Sequence, residues 1–238
     1  MLSFLKPIKL TLRSVEEESA EKVESSLSGP TSAREKFWEL VRDTFSPEDV
    51  TNVFHALEYA ESLPSRDPNH PSMNAYFAHP LRVATFATRL PTTPAVELTK
   101  MALLHNALEV SGLVPAEIVT AGFEERMTRG IQLLTIDRSR QYDAEYLDGF
   151  HKDIYGFGED LMLVRCVDRL DNLLAFELIE RTPTIATYID LSEQFVVPMA
   201  RDLADDFGDY FAEVIQHVRD SSCNQELKVR YNEFLKTA

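Results

Sequence analysis

From Arg34 onward, apolar residues recur at intervals of three and four, the spacing of one face of an α-helix. Phe37, Trp38, Leu40, Val41 and Phe45 mark a first amphipathic helix. Ser46-Pro47-Glu48-Asp49 then reads as a cap and a fresh start, because a first turn tolerates proline's missing N–H. Val53, Phe54, Ala56, Leu57 and Ala60 carry the next face as far as Pro64. A polar loop is expected over 63–74, with three of the twelve prolines. Pro80 and Pro94 are expected at first helical positions, with His79 and Thr93 in the capping place before them. Further helices are expected over 97–110, 123–134, 142–155, 159–179, 191–218 and 226–235. No stretch shows the period-two alternation of a half-buried strand, and no internal repeat is visible. The predicted fold class is all-α.

Residues 1–33 break this pattern. The acidic run 16–24 has the composition of a transient helix, and Ser25-Ser26-Leu27-Ser28-Gly29-Pro30-Thr31-Ser32 that of a linker. The expected organisation is therefore a flexible N-terminal tail over 1–33 and one helical domain over 34–238. Its C-terminal helices fall within 184–236.

Composition narrows the function classes. At 238 residues, with 44% apolar and 26% charged side chains, the chain has material for one sizeable core. No apolar run approaches the roughly 20 residues that span a bilayer, and Lys6, Pro7 and Lys9 break up any secretory signal. Cys166 and Cys223 make neither a disulfide framework nor a zinc-ligand spacing, so a cytoplasmic location is expected and no membrane partner. Eight glycines without a Gly-rich strand-to-helix loop leave dinucleotide and P-loop folds unsupported. The net charge of −15 opposes nucleic-acid binding, which depends on neutralising phosphates. A small phosphorylated ligand stays compatible with it, because a metal and a few local cations outweigh distant screened charge.

Candidate chemistry lies where polar groups interrupt apolar helices. His105 and Asn106 sit inside Met101-Ala102-Leu103-Leu104-His105-Asn106-Ala107-Leu108. Burying them costs free energy unless each finds a partner, and a divalent cation suits imidazole and oxygen together. Glu109 follows His105 by four and shares its face; Asp168 and Asn172 repeat that spacing among Leu163, Val164 and Val167. Singly, each has a structural explanation. A lone histidine on an apolar helix is more often a hydrogen-bonded core residue, His79 would cap its helix, and Asp168 would pair with Arg165 or Arg169.

Three segments in order, Tyr76-Phe77-Ala78-His79-Pro80-Leu81-Arg82-Val83-Ala84, Ala102-Leu103-Leu104-His105-Asn106-Ala107-Leu108-Glu109 and Val167-Asp168-Arg169-Leu170-Asp171-Asn172-Leu173, resemble the HD superfamily of metal-dependent phosphohydrolases. Within it they are most similar to the RelA/SpoT-type guanosine tetraphosphate pyrophosphohydrolases, over residues about 50–180. The resemblance implies an HD-type helical bundle in which His79, His105, position 106 and Asp168 hold a divalent metal, Mn²⁺ foremost. It implies Glu109 as the group that positions or deprotonates the attacking water, and Asn172 as a nucleotide contact. Arg66 is placed, more loosely, as a second substrate contact. The implied partner is a small phosphorylated nucleotide, with Arg82, Arg138, Arg140, Lys152 and Arg169 available to its phosphates.

Two departures bear on catalysis. The family has Asp where this chain has Asn106, and a second acid where it has Val110. Asn offers one neutral carbonyl oxygen and no anionic oxygen. The expectations are thus a metal-dependent phosphohydrolase or, alternatively, a catalytically degenerate HD protein that binds a nucleotide or partner without turnover. A purely structural helical module is the third. Oligomeric state is left open.

Overall fold

The computed structural model describes residues 13–66 and 76–237. Over these residues the fold is an all-α bundle without strands. Its helices are α1 (Val15–Ser28), α2 (Thr31–Thr44), α3 (Pro47–Ser62), α4 (Ala78–Arg89), α5 (Val96–Leu104), α6 (Ala107–Ser111), α7 (Pro115–Thr120), α8 (Glu125–Leu134), α9 (Ala144–Phe157), α10 (Glu159–Leu173), α11 (Pro183–Leu203), α12 (Asp205–Asp220) and α13 (Gln225–Thr237), with a 3₁₀ turn at Phe176–Leu178. No described helix is long and apolar enough to cross a membrane.

α10 is the axis of the bundle. Twelve of its fifteen residues are buried, so its polar residues Arg165, Asp168, Arg169 and Asp171 have no solvent face to occupy. It packs against α4, α5, α9, α11 and α12, while α2 covers α4 and α3 covers α5. The Ser46 cap appears as expected, its hydroxyl accepting from Asp49 N–H with Pro47 behind it.

The main departure from the sequence reading is the N-terminal segment. Residues 1–12 of the expected tail lie outside the described residues, but Val15–Ser28 is a docked helix, and only Gly29 and Pro30 separate it from α2. Ser14 and Glu17 form a reciprocal capping box that starts it. Its buried face carries Glu18, Ser19, Lys22 and Ser25 as well as Val15 and Val23. Ser19 donates to the Leu174 carbonyl (2.9 Å), Arg89 pairs with Glu18 (3.0 Å), and Lys22 reaches Asp171 on α10. This helix docks through ion pairs and hydrogen bonds rather than an apolar stripe, so its composition mimics a solvated tail.

Other boundaries shift for local reasons. The loop expected over 63–74 falls mostly on residues outside the description. His79 is the second residue of α4 rather than its cap; Phe77 takes that place, and Pro80 still sits in the first turn, where a missing N–H is harmless. Pro94 precedes the Ala95 cap of α5. The helix expected over 97–110 divides after His105, at Asn106, whose backbone alone (φ −104°, ψ 7°) leaves the helical region. The one expected over 159–179 stops at Leu173. That over 191–218 is two helices folded back at extended Ala204 (φ −163°, ψ 138°).

Candidate metal centre

Three side chains from three helices meet at one point. His79 comes from the first turn of α4, His105 from the break between α5 and α6, and Asp168 from the middle of α10. His79 Nε2 lies 3.2 Å from His105 Nε2, and Asp168 Oδ1 is 3.3 Å from the first and 3.5 Å from the second. First-row ions bound at about 2.1 Å hold neighbouring ligand atoms about 3 Å apart, so these spacings suit a shared cation.

The hydrogen bonds behind the ligands fix what faces inward. His105 Nδ1 is 2.7 Å from the Ala102 carbonyl, which can only accept, so the ring proton is on Nδ1 and Nε2 offers a lone pair. His79 Nδ1 is 2.8 Å from Asp171 Oδ2. Asp171 is fully buried, yet the charges of Lys22 and Arg82 and the bond from His79 outweigh burial and hold its carboxyl far below the usual range. It therefore accepts from His79, whose Nε2 also turns a lone pair to the cluster. Burial would raise Asp168, but the two imidazoles beside it, once either carries a second proton, and the charge of Arg165 hold it well below the ordinary carboxylate range. Three acceptors thus converge.

Asp168 Oδ1 already takes the Asn172 amide at 3.0 Å, and a cation placed among the three atoms would answer them all. Burial works against charging His79, but its bonds to Asp168 and Asp171 outweigh that and push it up, so a proton on Nε2 is one answer. A proton bridges two atoms; a metal ion satisfies three at once, and the donor set of two imidazoles and a carboxylate suits Mn, Fe, Co, Ni or Zn.

His79 and Asp168 border a cleft of about 430 Å³, while His105 is buried next to them. Asn106, next to His105 in the chain, borders it too and is half-buried. Glu109 also borders it, held by Arg138 Nε at 2.6 Å. Asn172 is there as well, its amide donating to Asp168 Oδ1 at 3.0 Å, so it steadies a ligand, a role the resemblance did not imply. Arg66 is the exception: it is exposed, its N–H bonds the Val110 carbonyl (2.7 Å), and its guanidinium lies against Gly112 at the end of α6, away from the cleft. Gly112 takes a left-handed φ of +70° there, which lets the chain turn beneath Arg66. Val110 is buried in the core, 2% exposed.

The cleft's charge opposes that of the whole chain. Lys22, Arg138, Arg165 and Arg169 border it against the carboxylates Glu109 and Asp168, in a protein of net charge −15. Of the other cations expected near phosphates, Arg82 is buried on Asp171, while Arg140 and Lys152 pair with Asp143 and Asp148 on the surface. The sequence alone assigned no role here to Asp171 or Lys22; Arg165 was expected only as a structural partner of Asp168, and that pair is present at 3.0 Å. Asp171 was within reach, as a second carboxylate three residues from Asp168 on a helix with no polar face.

No protein-family model matches the chain, and no curated protein matches it.

Proposed function

We propose that this protein is a metal-dependent phosphohydrolase of the HD kind, acting on a phosphorylated nucleotide such as guanosine tetraphosphate. The observation that carries the reading is the convergence of His79 Nε2, His105 Nε2 and Asp168 Oδ1 from three helices to within 3.5 Å of one another. The positively lined cleft around them supports a phosphorylated ligand, and the three ordered motifs support the family.

His79, His105 and Asp168 would hold the ion, Mn²⁺ foremost, with the Asn106 carbonyl as a fourth ligand. Such an ion supplies Lewis acidity toward a phosphoryl oxygen and toward water. Asp171 and the Ala102 carbonyl hold the two imidazoles in the tautomers that present Nε2. Glu109, set by Arg138, takes the proton of the attacking water as the phosphorus–oxygen bond to the leaving group breaks. Glu109 then gives that proton to the leaving-group oxygen, so the water's hydroxyl ends on phosphorus and its proton on the leaving group.

Asn106 favours a second reading, a nucleotide binder without turnover, because a neutral amide stands where a carboxylate would strengthen the cluster. One experiment separates them: metal analysis of the purified protein together with phosphate and pyrophosphate release from guanosine tetraphosphate in Mn²⁺. Near-stoichiometric metal and release that is lost in His105→Ala support the hydrolase. Nucleotide-induced thermal stabilisation without release, unaffected by chelator, supports the binder and overturns it.

A further inference from the structure

Arg165 and Arg169 stand one turn apart on α10, both bordering the cleft, only 5% and 6% exposed. Arg165 spends one nitrogen on Asp168 Oδ2 (3.0 Å), while its Nε and Nη2 have no partner. Arg169 Nε is also without a partner, and among the described residues no carboxylate pairs with this guanidinium. Its fork lies 3.9 Å over the Tyr188 ring, and that of Arg165 lies 5.2 Å from the Phe150 ring. Aromatic faces offset only part of the cost of burying two neighbouring like charges. A structural ion-pair network would have supplied carboxylates, yet among the described residues Asp168 alone pairs with either guanidinium, Glu109 across the cleft being taken by Arg138.

We infer that Arg165 and Arg169 form an oxyanion subsite that takes a phosphoryl group of the ligand other than the one meeting His79, His105 and Asp168. The phosphorylated nature of the ligand rests on the function proposed above; the subsite itself rests on the two guanidinium groups. Planar forks with donors to spare match phosphate oxygens bidentately, and stacking on Tyr188 holds the Arg169 fork in place before the ligand arrives. A ligand spanning both places carries at least two phosphoryl groups, so the pair selects against monophosphates.

The test uses inorganic pyrophosphate and inorganic phosphate as probes, by calorimetric titration of the full chain in excess chelator. Wild type binds pyrophosphate without metal, and Arg169→Met, which keeps the aliphatic packing on Tyr188, binds it at least about tenfold more weakly, the scale of one lost hydrogen bond to a charged group. Manganese content of the variant stays that of wild type. Arg169→Lys keeps the charge without the fork, guards against a folding defect, and binds more weakly than wild type. Equal pyrophosphate affinity in wild type and both variants, or no pyrophosphate binding by wild type in chelator, overturns the subsite. Arginine-dependent binding by a protein that carries no metal upholds the subsite while removing the hydrolase. Normal hydrolysis with binding indifferent to Arg169 does the reverse.

Discussion

His79 Nδ1 lies 2.8 Å from Asp171 Oδ2, and the same carboxylate accepts from Arg82 Nε at 2.7 Å and from Lys22. One fully buried anion therefore orients a candidate metal ligand and neutralises cations from two other helices. Asp171→Asn should weaken Mn²⁺ binding by about ten- to a hundredfold, the usual cost of losing a carboxylate behind a ligating histidine. It should also remove about 3–5 kcal/mol of stability, because Lys22 is left buried beside a neutral group. Metal titration and urea unfolding read the two effects separately. Adding Lys22→Met should recover part of the stability and none of the metal affinity; recovery of both would mean that Asp171 acts only by pairing with Lys22.

Asn106→Asp places a carboxylate on the residue next to His105, at the border of the cleft. Metal affinity should rise by on the order of ten- to a hundredfold, comparable to other changes in a ligand's surroundings. Under the hydrolase reading both proteins turn over substrate and the variant needs less metal. If activity appears only in the variant, the natural chain is the binder.

Glu109→Gln keeps the shape of the side chain and its contact with Arg138 but cannot accept a proton. Turnover should fall by about 10²- to 10⁴-fold while manganese content stays unchanged. Unchanged turnover in a fully loaded variant would remove Glu109 from the proton path.

The helices and the ligands of the site could be read from the chain because each leaves a local mark. His105 interrupts an apolar run, Asp168 does so on the most buried helix, and Ser46-Pro47 announces a cap. What could not be read was set by partners distant in sequence. Lys22 and Asp171 are 149 residues apart, and nothing near either tells that the polar face of α1 would be buried. The break at Ala204 was hidden for another reason: apolar periodicity continues through it, and the fold-back depends on how closely α12 approaches α11. Only the Ser14–Glu17 capping box offered a local sign that α1 was a real helix.

His151 gives the chain a pH-dependent stability separate from the candidate metal site. Its ring stacks on Phe195 (centroids 5.0 Å apart), Nδ1 bonds the Leu147 carbonyl (2.7 Å), and Nε2 has no partner. Burial first, then the charges of Arg165 and Arg169, push it down to about 3. Below the unfolded value of about 6.5 the unfolded chain takes a proton that the folded chain refuses. Stability is therefore unaffected by this group above that value and falls with acidification by about 1.4 kcal/mol per pH unit until the folded value is reached. In urea unfolding at pH 7.5 and 5.5, wild type should lose about 1.4 kcal/mol more than His151→Leu. Asp168 and Asp171, both depressed, lose stability only at lower pH and are common to both proteins. Parallel losses in the two proteins would assign the acid sensitivity elsewhere.

Gly208 is the position on which the α11–α12 fold-back depends. A Cβ there would stand 2.5 Å from Arg201 Cβ and 2.8 Å from the Arg201 backbone Cα, closer than packed carbon atoms come. The backbone at Gly208 is not left-handed, so the demand is for space alone. Gly208→Ala ought to gain helix propensity of about 1 kcal/mol, but the steric term opposes it, since forcing an extra carbon into a tight crossing costs about 1–3 kcal/mol. The helices must separate, and the buried Phe207 and Phe211 beside the crossing lose packing with them. Net destabilisation in urea unfolding is the expected result, with metal content unchanged because neither Gly208 nor Arg201 borders the cleft. A variant as stable as wild type would mean that α12 can slide along α11 at no cost, and that the break at Ala204 is held by other contacts.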